Sequence, residues 1–346
     1  MRIAIVNDVR MIIEVLRRVI SNVPSYEVAW IAKDGAEAVK KCAEDTPDLI
    51  LMDLIMPVMG GVDATNAIMK NTPCAILIVT SNVSDNMSKV FEAMGYGALD
   101  VVNAPVVNNI SSPEGIDEIL KKIATIGQLL GIKEKTKGKK DKGAGYGKLA
   151  GLKKKLPPLV VIGASTGGPM ALAKIISRFP ENTQLATVII QHVDQQFSQG
   201  LAAWLAEQTL IPVEIARNGI MPSAGKILLA GTNNHLMMTH SLALKYTPTP
   251  LELPYRPSVD IFFNSIAQNW PDKGVAILLT GMGNDGAKGM KALHDLGWHT
   301  IAEHQKSCVV FGMPKAAIEL GAASEVLPIE QIAPKVLSYV REFHDQ

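Results

Sequence analysis

Short apolar runs alternate with amphipathic segments through the first third of the chain. The runs are rich in Val, Ile and Leu, and the segments between them repeat apolar residues three and four positions apart, the spacing of one helix face. Such alternation predicts a doubly wound parallel β-sheet with helices on both faces. The predicted strands are residues 2–6, 28–31, 49–52, 75–79 and 99–102, with helical spacing at 9–20 and 36–43.

The same alternation returns after residue 158 and predicts a second doubly wound α/β domain. Its apolar strands are expected at residues 159–162, 187–190 and 275–279, each followed by a Gly-rich loop and a helical pattern. Between residues 211 and 250 the pattern changes to short strands broken by Pro and Gly, which predicts a β-hairpin insertion.

A Lys- and Gly-rich segment separates the two halves. Residues 131–158 carry ten lysines against two acidic residues, a local charge of +8, whereas the whole chain has a formal net charge of +1. The segment lacks apolar periodicity and ends in two prolines, which favours a flexible linker over a patch for nucleic acid or an acidic membrane. We therefore expect one domain at residues 1–125, a linker at 126–157 and a second domain at 158–346.

Composition narrows the class of protein. The chain has 346 residues, of which 47% are apolar and 19% charged, as in proteins with substantial cores. Three widely spaced cysteines do not predict a disulfide framework and fit a reducing compartment. No stretch approaches the roughly 18 consecutive apolar residues of a membrane span, and Asn7 and Asp8 interrupt the first apolar run too early for a signal peptide. We expect a soluble cytoplasmic protein with no nucleic-acid partner and no membrane insertion.

Two aspartates and a threonine follow three of the N-terminal strands. Asp8 comes after the first strand, Asp53 after the third, and Thr80 closes the fourth. Because parallel strands end at one sheet edge, the two carboxylates are expected to meet there, where a Mg²⁺ ion would relieve their repulsion. One carboxylate could then act as a nucleophile on a phosphoryl donor, with the Thr80 hydroxyl beside it. The alternative is that these carboxylates only cap helices.

A serine, a histidine and an aspartate follow three strands of the second half. Ser165 lies in a G-x-S-x-G pattern between an apolar strand and a helix, where small neighbours allow a sharp turn that exposes the hydroxyl. The pattern alone also fits a tight turn or a phosphate-binding loop. His192 ends a second strand and Asp285 follows a third, so all three converge on one sheet edge. That placement predicts a Ser–His–Asp triad, in a chain order unlike that of α/β-hydrolases.

A second interpretation uses the same segment differently. Residues 281–286 fit G-x-G-x-x-G after a strand and before a helix, with Glu303 at the end of the next predicted strand. A dinucleotide-binding loop is therefore an alternative function. Asp285 weighs against it, because a carboxylate inside that turn would repel the pyrophosphate.

The N-terminal motifs resemble those of phosphoacceptor receiver domains over about 120 residues. The resemblance rests on IVND, LILMDLIMPVMGG, Thr80 and GALDVV followed by Pro105. It implies a flavodoxin-like fold in which Asp53 is phosphorylated, Asp8 and Asp53 bind Mg²⁺, and Thr80 is the switch hydroxyl.

Two positions depart from the receiver pattern. Asn7 stands where the family usually has a second acid, and Ala104 stands where it usually has a lysine that pairs with the phosphate. The loss of one anionic ligand and one cation is expected to weaken both Mg²⁺ binding and phosphoryl stabilisation. In both departures the chain also resembles a branch of the family that serves alternative chemosensory pathways. Such pathways can control surface growth and cyclic-di-GMP synthesis.

The second half resembles the catalytic domain of the CheB family, the protein-glutamate methylesterases of bacterial chemotaxis. The motifs are GASTGGP, QHV, RPSVDIFF, LLTGMGNDGA and SCVVFGMPKAA, in order within about 158–343. The resemblance implies a Rossmann-like hydrolase that removes glutamyl methyl esters from methyl-accepting chemoreceptors, releases methanol and can deamidate certain receptor glutamines. The implied partners are these receptors as substrate and the histidine kinase of the chemosensory array as phosphodonor.

The resemblance also implies a role for each residue of the site. Ser165 attacks the ester carbonyl, His192 takes its proton, and Asp285 orients the imidazole. Backbone N–H groups of Thr166 and Met282 stabilise the oxyanion, and this step needs no cofactor.

Regulation is implied as well. The family's receiver covers the catalytic face until phosphorylation shifts the domain equilibrium, and Arg256 is expected either to contact the acidic receptor bundle or to cap a loop. A non-catalytic signalling adaptor is the alternative of a different class, and the intact Ser165, His192 and Asp285 argue against it.

Overall fold

The computed structural model describes residues 1–81, 86–105, 113–130, 156–253 and 255–344. Within these ranges each half of the chain forms one parallel β-sheet with helices between its strands. The linker predicted at 126–157 lies outside the described residues from 131 to 155. Among the helices that are described, none combines the length and the apolar character needed to cross a membrane.

A five-stranded parallel sheet forms the first half. Its strands are β1 (Arg2–Val6), β2 (Glu27–Ala32), β3 (Leu49–Met52), β4 (Ala75–Thr80) and β5 (Asp100–Asn103). The order β2-β1-β3-β4-β5 is that of flavodoxin-like folds, which confirms the predicted fold class. The helices on its two faces are α1 (Arg10–Ser21), α2 (Gly35–Glu44), α3 (Gly61–Asn71), α4 (Met87–Gly95) and α5 (Pro113–Leu129).

The register of this sheet aligns the residues that precede the predicted phosphoacceptor site. Val6 pairs with Met52, and Met52 pairs with Ile78 on the next strand. Helices cover both faces of β1, β3 and β4, so these strands are almost continuously apolar and buried. Polar residues first appear where the strands end, which places them at one edge.

A seven-stranded sheet with parallel pairings forms the second half, in the order β14-β13-β12-β6-β7-β9-β8. Its strands are β6 (Leu159–Ala164), β7 (Ala186–Gln191), β8 (Val213–Ile215), β9 (Lys226–Leu229), β12 (Val275–Leu278), β13 (His299–Glu303) and β14 (Glu325–Leu327). The first strand of this half, β6, lies in the middle with β7 on one side and β12 on the other. Ligands bind at such switch points in open α/β sheets.

Helices cover both faces of the second sheet. They are α6 (Gly168–Ile176), α7 (Gln195–Glu207), α8 (Val259–Asn269), α9 (Ala287–Asp295), α10 (Met313–Glu319) and α11 (Ile329–His344). A separate antiparallel hairpin consists of β10 (His235–Met238) and β11 (Leu244–Thr247).

The prediction for residues 211–250 is confirmed for one hairpin and is wrong for two strands. Strands β10 and β11 form the hairpin, but β8 and β9 extend the main sheet in parallel beside β7. Each of these strands has only three or four residues. At that length the sequence pattern does not show which neighbour a strand will pair with, because pairing depends on tertiary contacts.

The two halves pack against each other through α4. One apolar cluster continues from the first sheet into the second half, and the rings of Phe91 on α4 and Trp204 on α7 lie 5.6 Å apart between centroids. At its margin, Asn103 donates to Gln196 at 3.1 Å, and Gln196 donates to Glu118 at 2.7 Å. The N-terminal half therefore contacts the C-terminal half through both apolar and polar groups.

Candidate active site

The strand-to-turn-to-helix segment around Ser165 follows the buried strand β6. The Ser165 N–H donates to the carbonyl of Thr280 at 3.1 Å, and the Gly168 N–H donates back to the Ser165 carbonyl at 2.8 Å. Gly167 has a φ of 78°, which only glycine adopts without strain, and α6 begins at the next residue. The turn therefore holds the serine at the C-terminal edge of the sheet, as the G-x-S-x-G pattern predicts.

His192 and Asp285 form a close polar pair at the same edge. His192 Nε2 lies 2.8 Å from Asp285 Oδ2, and the two side chains are only 8% and 9% exposed. Because Nε2 faces a carboxylate, that nitrogen carries the hydrogen and Nδ1 keeps its lone pair. His192 Nδ1 is buried and has no hydrogen-bond partner among the described residues, so it is the ring nitrogen available to take a proton.

The Asp285 carboxylate is held by the start of α8 as well as by the histidine. Oδ1 accepts from the Ser258 hydroxyl at 2.8 Å and from the Asp260 N–H at 3.0 Å, while Oδ2 accepts from the Val259 N–H at 2.7 Å. Burial alone would raise the pKa of this carboxyl, but the hydrogen bonds from His192, Asp260 and Ser258 outweigh it and lower the pKa. The group is therefore a fixed anion at neutral pH.

A neighbouring carboxyl responds differently to the same surroundings. Burial raises the pKa of Asp260 to about 6, and the negative charge of Asp285 adds to that shift. Asp260 accepts from the Gly289 N–H at 2.7 Å, so it links the starts of α8 and α9. Of the two acids, Asp285 is the one placed and charged to assist a histidine.

Ser165, Thr166, His192 and Met282 line one cleft of about 490 Å³. Arg256 also lines this cleft, as do residues of the N-terminal half, including Lys122. The structure therefore brings all five predicted catalytic and oxyanion residues to one region, since Asp285 lies directly behind His192.

The dinucleotide interpretation finds little support in this geometry. Asp285 lies inside the G-x-G-x-x-G segment, and its carboxylate is bonded to His192 and to the start of α8. A buried anion at this place disfavours a pyrophosphate. Glu303 is fully buried, so a ribose hydroxyl cannot reach its carboxylate, whose Oε2 already accepts from the Thr280 N–H at 2.8 Å.

The predicted phosphoacceptor lies in a compact polar site at the edge of the first sheet. Asp53 is 6% exposed, and its Oδ1 accepts from the Leu54 N–H at 2.7 Å. The Asn7 amide donates to Oδ2 at 2.9 Å, and the buried Thr80 hydroxyl lies beside the carboxyl. Burial raises the pKa of Asp53, and the charge of Asp8 raises it further.

This site fits a cation only with a reduced set of ligands. Asn7 places an N–H donor on Asp53 Oδ2, where an acid would have offered a further ligand oxygen. Mg²⁺ needs only one or two carboxylates because it keeps several waters, so Asp8 and Asp53 fit it once that amide turns away. Among the described residues no group of three or more His, Cys, Asp or Glu side chains is placed to hold a metal. Ala104 is buried and supplies no cation.

Three residues that contact the triad were not singled out from the sequence. Ser258 bonds to Asp285, Tyr255 stacks on His192, and the Gln191 amide donates to the Ser165 carbonyl at 2.8 Å. Gln191 had a usable signal, since it ends a buried strand. Ser258 and Tyr255 lie in the segment before α8, where no periodicity indicates which way a side chain faces.

The fold and the comparisons together define the class of protein: a hydrolase domain built on a parallel β-sheet with helices on both faces, joined to a receiver domain. Comparison with family models agrees. The CheB methylesterase family matches residues 160–336, and the response regulator receiver domain matches residues 3–109.

Similarity to individual relatives over nearly the whole chain shows the family more clearly than the two family models do. The chain is 49% identical over 337 residues to a protein-glutamate methylesterase/protein-glutamine glutaminase of Pseudomonas fluorescens, with 97% of this chain and 98% of the relative covered. It is 47% identical over 336 residues to one of Pseudomonas aeruginosa, with 97% and 98% covered. The crystal structure of the CheB methylesterase catalytic domain of Thermotoga maritima covers 53% of this chain and 98% of its own, at 35% identity and a TM-score of 0.51. The chain belongs to the CheB methylesterase family.

Proposed function

We propose that the chain hydrolyses methyl esters of glutamate side chains on methyl-accepting chemoreceptors, releasing methanol, and deamidates receptor glutamines. The relatives of similar length carry both activities in their names. The observation that carries the proposal is the buried His192–Asp285 pair beside Ser165 in one open cleft. Both reactions are acyl transfers from the same glutamyl carbonyl, so one site serves both.

The proposed mechanism uses Ser165 as the nucleophile and His192 as the base. Ser165 Oγ bonds to the ester carbonyl carbon while its proton passes to His192 Nδ1. The Asp285 carboxylate, bonded to Nε2, stabilises the imidazolium that forms. That proton then leaves with the methoxy group as methanol, or with the amino group as ammonia. Water then attacks the carbonyl carbon of the acyl-enzyme and gives a proton to His192, which passes it to the departing Ser165 Oγ, so that glutamate and free Ser165 are released.

The oxyanion is proposed to be stabilised by the backbone N–H groups of Thr166 and Met282. Both residues line the cleft, and Thr166 lies two residues before the start of α6, where backbone dipoles favour negative charge. In the described part of the chain, neither N–H donates a hydrogen bond to another group. These steps need no cofactor.

One adjustment must precede the reaction. In the described structure the Ser165 hydroxyl does not hydrogen-bond to His192. A rotation of the serine side chain brings Oγ toward the imidazole, and such contacts commonly tighten only when substrate binds. The Gln191 amide and the Thr280 carbonyl hold the serine backbone in place during that rotation.

The receiver is proposed to restrict access to this cleft. Leu99, Asp100 and Lys122 form part of its wall, and Lys122 bridges Asp100 at 2.7 Å with its ammonium 5.7 Å from the Phe197 ring. A receptor helix must reach Ser165 past these groups. Movement of the receiver would therefore raise the rate of hydrolysis.

Phosphorylation of Asp53 by the histidine kinase of the chemosensory array is the proposed signal for that movement. Asp8 and Asp53 are the residues that would hold Mg²⁺, which when bound neutralises phosphoryl charge. Thr80 contributes a hydroxyl to the phosphorylated state. Since Asn7 and Ala104 remove an acid and a cation, labelling is expected to be slow. A labelled phosphodonor and Mg²⁺ should label the wild type but not Asp53→Asn; no labelling of either protein would contradict this part of the proposal.

Mass spectrometry of receptor peptides tests the main proposal. Methylated receptor is incubated with wild type or with Ser165→Ala, and the methyl-glutamate and glutamine sites are followed separately. The proposal predicts loss of the methyl group and conversion of glutamine to glutamate with wild type only. Equal change with both proteins would place the chemistry elsewhere.

A further inference from the structure

Tyr255 stacks face to face on the catalytic histidine. The two ring centroids are 4.5 Å apart and the ring planes differ by 3°. Tyr255 lines the cleft beside Ser165 and is half-buried, so the ring lies within the site and not behind it. Parallel stacking this close constrains the tilt of the imidazole.

The imidazole has few other contacts that would fix its plane. Nε2 makes one hydrogen bond, to Asp285, and Nδ1 has no partner among the described residues. A ring attached covalently at Cγ and held by one hydrogen bond at Nε2 can still turn about the axis through those two atoms, and such a turn moves Nδ1 away from the serine. The face of Tyr255 opposes that pivot.

The same segment of chain supports both partners of Ser165. Tyr255 contacts His192, and three residues later Ser258 donates to the Asp285 carboxylate. A Cβ atom placed on Gly283 would lie 3.1 Å from the Tyr255 hydroxyl oxygen, so the phenol also packs on the loop that carries Met282. One side chain thus spans the base and the proposed oxyanion loop.

We propose that Tyr255 is a positioning residue for the hydrolysis: its ring face holds the His192 plane and stabilises the imidazolium formed when Ser165 loses its proton. An aromatic face attracts a cation within about 6 Å of its centroid, and the attraction is stronger in a partly desolvated site. The interaction strengthens only when the imidazole becomes charged, so it lowers the barrier and leaves substrate binding unchanged. This inference rests on the proposed function.

The hydroxyl has a separate place in this arrangement. It is buried without a hydrogen-bond partner among the described residues. Burial raises the pKa of Tyr255 to about 12, and the Asp285 carboxylate contributes to that shift. The phenol is therefore neutral at physiological pH, and its ring alone carries the effect on His192.

Three variants separate the ring from the hydroxyl. Tyr255→Phe keeps the stacked aromatic face, while Tyr255→Leu and Tyr255→Met replace it with large side chains that have no aromatic ring. We expect kcat to fall about tenfold in the Leu and Met variants, with KM within about twofold of wild type. Tyr255→Phe should keep kcat within about twofold. Thermal unfolding of each variant checks that the fold is intact, and the second non-aromatic variant serves if one fails to fold.

The assay uses the full chain with methylated receptor and, in parallel, a small activated ester. The activated ester reports on Ser165 and His192 even if the receptor is not the substrate, so failure of the proposed function is distinguished from failure of this inference. NMR gives a readout without turnover: the His192 ring protons should show a ring-current shift in wild type and Tyr255→Phe that is lost in Tyr255→Leu. Full kcat in both non-aromatic variants, or an equal loss in Tyr255→Phe, would overturn the proposal.

Discussion

At the level of single residues, the clearest prediction concerns the carboxylate of Asp285. The carboxylate accepts from Ser258, Val259 and Asp260 in addition to facing His192 Nε2. These bonds fix which oxygen meets the imidazole and keep the group ionised although it is buried. In the proposed mechanism the residue therefore sets the tautomer of the base, and its charge stabilises the imidazolium that forms.

Replacement of this carboxylate should remove most of the hydrolytic activity while the fold of the cleft stays intact. In Asp285→Asn the charge is lost and the amide can present an N–H to Nε2, which favours the tautomer that cannot accept a proton from Ser165. We expect kcat to fall by about 10³–10⁴. Steady-state kinetics measure this. Asp295→Asn, which removes a carboxyl exposed at the end of α9, is the matched control and should keep full activity. Retention of more than about a tenth of kcat in Asp285→Asn would contradict the assigned role.

Glu303 gives a prediction about pH and stability. The side chain is fully buried at the end of β13, Oε2 accepts from the Thr280 N–H, and Oε1 has no partner among the described residues. Burial raises the pKa of this carboxyl above its usual 4.5, and the opposing effects of the Thr280 N–H and Lys174 do not cancel the shift. A raised folded pKa means that stability is greatest below the unfolded pKa and declines as the pH rises through the folded pKa.

Glu303→Gln removes the ionisation that causes this decline. The amide oxygen can still accept from Thr280, so the change is close to isosteric. The free energy of unfolding of the variant relative to wild type should therefore rise between about pH 5 and about pH 8. Chemical denaturation at both pH values gives the difference. A relative stability that falls with pH would show that Glu303 is stabilised as an anion.

Some contacts of the candidate site could be predicted from the sequence and others could not. Ser165, His192 and Asp285 each follow an apolar strand, and parallel strands end at one edge, so their convergence could be predicted. Ser258 and Tyr255 come from the segment before α8 and reach the same site only because that segment folds back over the sheet edge. Their contacts depend on the tertiary path of the chain, which local pattern does not encode.

At the scale of elements, the turn before α6 depends on Gly167. Its φ of 78° is left-handed, and a Cβ atom there would lie 2.7 Å from two side-chain carbons of Val309. Val309 belongs to the loop that packs over the turn, so both the backbone and the neighbour resist a larger residue. This turn sets the position of Ser165 and the start of the helix.

Gly167→Ala should therefore lower both stability and activity. Left-handed strain contributes roughly 1–2 kcal/mol, and the collision with Val309 adds roughly 1–3 kcal/mol. Gly219→Ala is the matched control, since Gly219 has a φ of 84° but a Cβ atom there meets nothing within 4 Å. The free energy of unfolding and kcat of both variants separate the effect of left-handed backbone strain from that of the collision with Val309. Equal destabilisation of the two variants, with full activity in Gly167→Ala, would contradict the proposed role of the turn.

The element-scale predictions succeeded where strands are long and buried. Strands β1, β3, β6 and β7 carry four to six consecutive buried residues, and their positions agree with the apolar runs to within two residues. Strands β8 and β9 are short and follow Pro- and Gly-containing turns, so they look like parts of an insertion. Their place in the main sheet follows from pairing with β7, a contact between distant parts of the chain.

At the scale of the whole molecule, the receiver and the catalytic half share an interface beside the cleft. It combines the Phe91–Trp204 contact with hydrogen bonds from Asn103 and Gln196. Residues of the receiver also form part of the cleft wall. In the proposed function, a receptor helix and the receiver would therefore compete for the space in front of Ser165.

Removal of the receiver should accelerate the reaction. Residues 158–346 correspond to the domain that was crystallised alone from the Thermotoga maritima relative, so the segment is expected to fold. Coupling of about 1–3 kcal/mol between domain position and access predicts a rate on methylated receptor about 5- to 150-fold above that of the full chain. A small activated ester, which does not need the wide opening, should show a smaller increase. An isolated segment that is slower than the full chain on receptor would contradict inhibition by the receiver.

Methanol release from methylated receptor tests the central claim most directly. The measurement compares the full chain, Ser165→Ala and residues 158–346 at equal concentration with the same receptor. We predict release by the full chain and by the segment, and none above background with Ser165→Ala. Release that persists in Ser165→Ala, or its absence from both the full chain and the isolated segment, would contradict the claim that this cleft is a methylesterase site.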